Sequence, residues 1–108
     1  MTLNEYQTAA MQTAIYPKDF GMIYTSLNLA GEAGEYAGQV AKAFRDDDGD
    51  ITPERHASLK KELGDCLWQV AAAAHELGVT LDDLADDNLS KLASRSARNT
   101  LSGSGDIR

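Results

Sequence analysis

Two pairs of acidic residues, each pair with a spacing of three positions, are the part of the chain best suited to chemistry. Glu32 and Glu35 form the first pair, and Glu62 and Asp65 form the second. On an α-helix this spacing places both carboxylates on one side, about 60° apart. If the two helices pack side by side, four hard oxygen donors converge, which is the ligand set that Mg²⁺ or Mn²⁺ prefers.

A plainer interpretation fits the same residues. Glutamates on amphipathic helices usually form solvated faces, and a single E-x-x-E pair is a weak motif. Both pairs also continue into longer polar stripes, which suit an exposed surface as well as a binding site. These stripes are Asn28, Glu32, Glu35, Gln39 and Lys42 on one helix, and Ser58, Glu62, Asp65 and Gln69 on the next. From spacing alone, both interpretations stay open.

A row of cationic and amide side chains lies further along the chain. Asn88, Lys91 and Arg95 fall on the flank of a predicted helix, away from its outer face of aspartates. A cationic row beside a carboxylate–metal cluster suits a polyphosphate, because the metal and the side chains divide its negative charge. Side chains that simply extend their charged ends into water explain the row equally well.

Helix start and stop signals predict four α-helices and no strand. Thr2 with Glu5 forms a capping box that opens the first helix. Thr52 before a proline opens the third, and Gly78 ends it as a left-handed C-cap. The expected helices cover about 2–15, from between 21 and 26 to 45, 52–77, and 80–98.

Apolar spacing predicts the face that each helix buries. On the second helix the apolar stripe is Leu27, Ala30, Gly34, Ala37, Ala41 and Phe44; on the third helix the buried stripe is Leu59, Leu63, Cys66, Val70, Ala73 and Leu77. The pattern predicts an all-α four-helix bundle over residues 1–98, followed by a glycine- and serine-containing tail over 99–108.

Composition narrows the class of protein. The net charge of −7, from 10 basic and 17 acidic residues, disfavours binding to nucleic acid or an anionic membrane. Cys66 is the only cysteine, which excludes an intrachain disulfide and a cysteine-rich zinc site. The first residues lack the pattern of a signal peptide, and no apolar run is long enough for a membrane span. We therefore expect a cytoplasmic protein.

Three segments together resemble a known family. Leu29–Glu35 (LAGEAGE) and Glu62–Trp68 (ELGDCLW) resemble the signature of the MazG-like, all-α nucleoside triphosphate pyrophosphohydrolases, E-x-x-E on one helix and E-x-x-D on the next. Asn88–Arg95 (NLSKLASR) resembles the downstream N-x-x-K-L-x-x-R of that family. The resemblance runs from about residue 6 to 95, and the tail is similar to the endings of small single-domain members.

The resemblance implies a Mg²⁺-dependent enzyme, with Mn²⁺ as a substitute metal, that cleaves a nucleoside triphosphate between its α and β phosphates. The products are a nucleoside monophosphate and pyrophosphate, and the implied role is housecleaning of the nucleotide pool. Carried over by position, the metal ligands are Glu32, Glu35, Glu62 and Asp65, with Glu35 and Glu62 as catalytic residues. The substrate-binding residues are Asn88, Lys91 and Arg95, with Lys42 as a looser candidate.

One position departs from the family pattern. Some relatives carry an extra glutamate, a candidate general base, where this chain has Gly31.

The family also assembles as dimers or tetramers, so we expect a homodimer or homotetramer, which would offset the small core of a chain this short. Two other functions stay open: a non-catalytic helical interaction module with an acidic surface, and a narrow dUTP or dCTP diphosphatase.

Overall fold

The computed structural model describes all 108 residues and contains four α-helices, one short 3₁₀ helix and no strand. The α-helices are α1 (Leu3–Met11), α2 (Gly21–Asp46), α3 (Pro53–Leu77) and α4 (Leu81–Ala97); the 3₁₀ helix covers Lys18–Phe20. The predicted all-α class with four helices is confirmed. None of these helices is both long enough and apolar enough to cross a membrane.

The predicted caps set most helix ends. The side chain of Thr2 accepts a hydrogen bond from the backbone N–H of Glu5, whose carboxylate accepts one in return, so the capping box is present. The hydroxyl oxygens of Thr52 and Thr80 cap α3 and α4 by accepting hydrogen bonds from the backbone N–H groups of Arg55 and Asp83. Gly78 ends α3 with a φ of 74°, a left-handed conformation that glycine adopts without a Cβ clash.

The predicted end of α1 near Ile15 is wrong, because the helix stops at Met11. The hydroxyl of Thr13 donates to the carbonyl of Ala10 at 2.7 Å, and its backbone N–H binds the same oxygen. The same hydroxyl accepts a hydrogen bond from the indole nitrogen of Trp68 on α3 at 2.8 Å. These bonds tighten the last turn and hold the chain against α3, where it leaves the helical path.

The long helices α2 and α3 form an antiparallel pair. Near their connecting loop, Arg55 of α3 donates to the side-chain oxygen of Gln39 at 2.7 Å. At the other end the carboxylate of Glu76 lies against Gly21, so closely that a Cβ at Gly21 would overlap it. Residues early in α2 therefore face residues late in α3, and the middles of the two helices lie opposite each other.

The remaining helices pack around the late half of α3. A small core forms where α1, α3 and α4 meet, built from Ala10, Ala71, Ala74 and Leu81. Helix α1 contacts both α3 and α4, whereas α4 makes no contact with α2. One face of α2 consequently has no helix against it within the chain.

The predicted apolar face of α2 is exposed and that of α3 is only partly buried, which corrects the sequence-based assignment. Every residue of the α2 stripe is exposed, including Leu27 at 70% and Phe44 at 69%. On α3, Leu59 is buried as predicted, but Leu63 and Leu77 are exposed. Helical periodicity correctly identifies an apolar face, but it does not say whether another helix of the same chain covers that face.

The residues that α2 buries are small or polar instead: Gly21, Thr25 and Ala43. On α3, the buried residues outside the core shared with α1 and α4 are Leu59, Gln69 and Ala72. The hydroxyl of Thr25 is satisfied inside its own helix, since it donates to the carbonyl of Gly21 at 2.9 Å. The polar stripe of α2, which the amphipathic pattern places nearly opposite the apolar face, is therefore the side that approaches α3.

The single chain is more open than a compact domain of its size. Its radius of gyration is 16.7 Å, whereas a compact chain of 108 residues has about 13 Å. Its accessible surface is 7506 Å², against about 5,800 Å² for a compact 11.6 kDa protein. Only 13 of 108 residues are buried, so much apolar surface stays in contact with solvent.

Candidate metal and active site

The antiparallel packing of α2 and α3 brings three of the predicted acidic residues together. Glu32, Glu62 and Asp65 each offer one carboxylate oxygen, and these oxygens all lie within 4.8 Å of one another. Glu32 and Glu62 are half-buried and Asp65 is exposed. We call these three residues the carboxylate cluster. Its members come from both helices, so the register of the pair, and not the sequence spacing alone, creates it.

Glu35 is placed differently from the other three predicted ligands. It lies one helical turn beyond Glu32 on α2, is exposed, and is not a member of the carboxylate cluster. Its charge nevertheless contributes to the raised pKa of Glu32, so the two carboxylates share one electrostatic environment. The structure thus separates Glu35 from the residues best placed to ligate an ion.

The carboxylate cluster carries negative charge without a cationic partner. No ion pair of the structure includes any of its members. Burial raises the pKa of Glu32, and the charges of Asp65, Glu62 and Glu35 raise it further. A divalent cation would relieve this repulsion, and carboxylate oxygens are the donors that Mg²⁺ and Mn²⁺ favour. The donor set therefore fits the metal that the resemblance implies.

Tyr6 of α1 is a neighbour of the site that sequence reasoning missed. Burial raises the pKa of its hydroxyl, and the charge of Asp65 raises it further. The helical spacing of α1 assigns Tyr6 only to an apolar stripe, and no motif connects it with the acidic pairs. Its proximity to Asp65 follows from the way α1 packs on α3, which local sequence does not encode.

The predicted basic row forms no ion pair with the carboxylate cluster within one chain. Lys91 and Arg95 are paired with Asp106 of the tail, not with the acidic pairs. Asn88 is exposed, and α4, which carries all three residues, makes no contact with α2. Lys42 is exposed on α2, ten residues after Glu32, which is about 15 Å along the helix. None of the four predicted substrate-binding residues thus forms an ion pair with a predicted ligand.

Neither of the two surface cavities contains a predicted site residue. The larger, about 470 Å³, lies between α1 and the end of α3; the smaller, about 260 Å³, lies between α2 and α3 beside Tyr36, His56 and Leu63. The carboxylate cluster is outside both. A single chain therefore offers the ligand set at an open surface, without an enclosed pocket for a nucleotide.

Comparisons with known proteins agree with the resemblance. The family described as the MazG nucleotide pyrophosphohydrolase domain matches residues 22–99, a range that contains both acidic pairs and the basic row. The "Gene 37 protein" of Mycobacterium phage L5 is 46% identical over 114 aligned positions, which cover 100% of each chain. No solved structure matches the chain significantly.

Proposed function

We propose, on the premise that this chain belongs to the MazG nucleotide pyrophosphohydrolase domain family, that it hydrolyses nucleoside triphosphates to nucleoside monophosphates and pyrophosphate with Mg²⁺ as cofactor. The observation that carries the proposal is the carboxylate cluster, whose oxygens lie within 4.8 Å of one another and have no cationic partner. The cellular role we infer is removal of unwanted nucleotides from the pool.

Glu32, Glu62 and Asp65 would hold the metal ion. A divalent cation held there supplies positive charge against the triphosphate and the departing pyrophosphate. The half-buried Glu32 and Glu62 come from different helices, so α2 and α3 must keep their register for both to bind one ion. The residues of the α2–α3 contact thereby become positioning residues for the reaction.

Glu35 is our candidate for the general base. In the reaction, a water oxygen bonds to the α phosphorus, the bond from that phosphorus to the bridging oxygen breaks, and pyrophosphate leaves. The water must lose a proton, and a carboxylate that does not ligate the metal is free to accept it. Glu35 is exposed, lies one turn from Glu32 and is not in the carboxylate cluster, so it suits this role better than the three ligands.

The basic row would bind the phosphates. Lys91 and Arg95 are charged donors of the kind that recognises phosphate oxygens, and Asn88 shares their side of α4. Because α4 makes no contact with α2, we infer that a second copy of the chain brings this row to the carboxylate cluster. Lys42 is a looser candidate for binding the phosphates.

We also propose that the protein is a homo-oligomer in which a second copy covers the exposed stripe of α2. Its accessible surface of 7506 Å² exceeds that of a compact 11.6 kDa chain by roughly 1,700 Å². A standard protein–protein interface buries about 800 Å² on each partner, so the excess is large enough for one such interface or two. Leu27 and Phe44, both exposed on this stripe, would then be buried between copies.

The proposed function is tested by incubating the purified protein with a panel of canonical and modified nucleoside triphosphates, with Mg²⁺ or with EDTA. We expect monophosphate and pyrophosphate to appear only with Mg²⁺. Activity confined to dUTP or dCTP would identify the narrow diphosphatase instead. Release of orthophosphate and diphosphate, or no hydrolysis of any nucleotide, would contradict the proposal and favour a different hydrolase or a non-catalytic module.

A further inference from the structure

The tail segment, residues 99–108, folds back on α4. Arg98 at the end of α4 donates to the backbone carbonyl of Arg108 at 2.9 Å. Arg108 in turn donates to the carbonyls of Thr100 at 3.1 Å and Leu101 at 2.9 Å. Gly103 has a φ of 116°, a conformation that few other residues adopt, and it lets the chain reverse there. The segment is therefore an organised loop of turns and bends beside the basic row.

Within this loop, Asp106 binds the two cationic residues of the row. Its Oδ1 accepts a hydrogen bond from Lys91 at 2.7 Å and another from Arg95 at 3.3 Å. The backbone carbonyl of Asp106 accepts a further bond from Arg95. Hydrogen bonding to Lys91, the charge of Lys91 and then the contact with Arg95 hold the pKa of Asp106 below its usual range. One oxygen shared by two cations is also how a phosphate oxygen would be held.

The two sides of this contact are unequally accessible. Arg95 is 5% exposed, and its Nε is shielded from solvent without any acceptor. Asp106 is 78% exposed, so its ion pairs lie at the surface, where such pairs are weak and exchangeable. A buried guanidinium with an unused donor would gain from a ligand that offers more oxygens than one carboxylate. The contact has the features of an anion site closed by a weak internal occupant.

We infer that Asp106 is an internal competitor for phosphate: it occupies Lys91 and Arg95 in the free protein and is displaced by a phosphate group of the nucleotide. The inference rests on the proposed function, because that proposal makes the basic row a phosphate site. Displacement would release the tail segment from α4 each time a nucleotide binds. The tail would thus raise the nucleotide concentration at which the protein becomes saturated.

The test is binding of pyrophosphate in EDTA, which needs neither the carboxylate cluster nor turnover. We expect Asp106→Asn to bind pyrophosphate more tightly than the unchanged protein, by up to about tenfold, because both ion pairs of the exposed Asp106 carboxylate are lost as competitors. Asp86→Asn on the exposed side of α4 removes the same charge without touching the basic row, and it should have a much smaller effect. In a chain that also carries Lys91→Ala, the effect of Asp106→Asn should shrink.

A second measurement separates competition from a purely structural role. Hydrogen exchange of backbone amides in residues 99–106 should accelerate when pyrophosphate binds, while α4 stays protected. Unchanged or weaker pyrophosphate binding by a folded Asp106→Asn protein, or a tail that becomes more protected on binding, would overturn the inference. Tighter pyrophosphate binding by Asp106→Asn, in a protein that hydrolyses no nucleotide, would support the inference and refute the proposed function. Nucleotide hydrolysis together with unaltered pyrophosphate binding by Asp106→Asn would support the proposed function and refute the inference.

Discussion

Glu32 of α2 and Asp65 of α3 each place a carboxylate oxygen within 4.8 Å of the other across the helix pair, together with an oxygen of Glu62. No lysine or arginine neutralises them. Like charges held this close destabilise the fold unless a cation lies between them. The proposed metal site therefore makes the stability of the metal-free protein and the affinity for metal depend on the same three carboxylates.

Asp65→Asn should weaken Mg²⁺ or Mn²⁺ binding by more than about tenfold, a loss at least as large as that of an outer-shell partner. It should also make the metal-free protein slightly more stable, because one repelling charge is gone. Calorimetric titration with metal and thermal unfolding in EDTA measure the two effects. Asp87→Asn is the control, because it removes the same charge from an exposed position on α4. Equal metal binding by the unchanged protein, Asp65→Asn and Asp87→Asn would exclude the carboxylate cluster as a metal site.

Glu35→Gln should separate catalysis from metal binding. If Glu35 is the base, kcat for pyrophosphate release falls by about 100-fold or more, while the affinity for Mg²⁺ changes little. Glu32→Gln is the matched comparison, because it makes the same chemical change at a residue of the carboxylate cluster and should weaken metal binding. A large loss of Mg²⁺ affinity in Glu35→Gln would instead make Glu35 a fourth ligand.

Leu27→Asp should disrupt the proposed assembly. Leu27 is 70% exposed in the single chain, and burying a leucine contributes about 1.5–3 kcal/mol, so its loss at an interface weakens association by more than about tenfold. Light scattering after gel filtration should show a shift towards the 11.6 kDa monomer. Ile15→Asp, at an exposed residue outside α2, should leave the mass unchanged. If the unchanged protein is itself a monomer, the homo-oligomer proposal fails.

Tyr16→Phe should lower the free energy of unfolding by about 1.5–3 kcal/mol, the usual range for a hydrogen bond to a charged group. The buried hydroxyl of Tyr16 donates to Glu76 at 2.5 Å, and the variant would leave that carboxylate without its partner. Tyr24→Phe is the control, since its ring stacks on Tyr16 with centroids 5.1 Å apart. Urea unfolding measures both; equal effects would show that the hydroxyl of Tyr16 contributes no particular stability.

The hydroxyl of Tyr16 should lose its proton only at a higher pH than an ordinary tyrosine. Burial, followed by the hydrogen bond and charge of Glu76, raises the pKa of Tyr16 from its ordinary 10.0 to about 12. The folded protein therefore holds this proton more tightly than the unfolded chain, so the stabilisation is complete below about pH 10 and is lost as the pH rises towards 12. The difference between the absorbance titrations of the unchanged protein and Tyr16→Phe should have its midpoint near 12; a midpoint near 10 would contradict this account.

Sequence reasoning worked best where the determining interactions are local. The capping residues Thr2, Thr52 and Thr80 and the terminal Gly78 set helix ends through bonds within one turn, so they could be identified from the sequence. The end of α1 could not, because Thr13 is also held by Trp68, a residue far along the chain. Local signals do not contain such partners.

The candidate site was predictable in part for the same reason. The i, i+3 spacing places each acidic pair on one side of its helix, and the family signature selects both pairs. The register that unites Glu32 with Glu62 and Asp65 while leaving Glu35 outside depends on how α2 and α3 meet. That meeting uses the polar side of α2, contrary to the usual burial of the apolar face. The contact of Arg95 with Asp106 could not be predicted from the sequence either, because the tail has no periodic pattern.

The hydrogen bond from Trp68 to Thr13 has a practical consequence, because Trp68 is the only tryptophan of the chain. Its indole also meets the ring of Tyr16 edge-on, with centroids 6.4 Å apart. Intrinsic fluorescence excited at the indole band therefore reports the docking of the α1–α2 connection on α3. Detachment of that connection would change the emission even while circular dichroism still recorded intact helices.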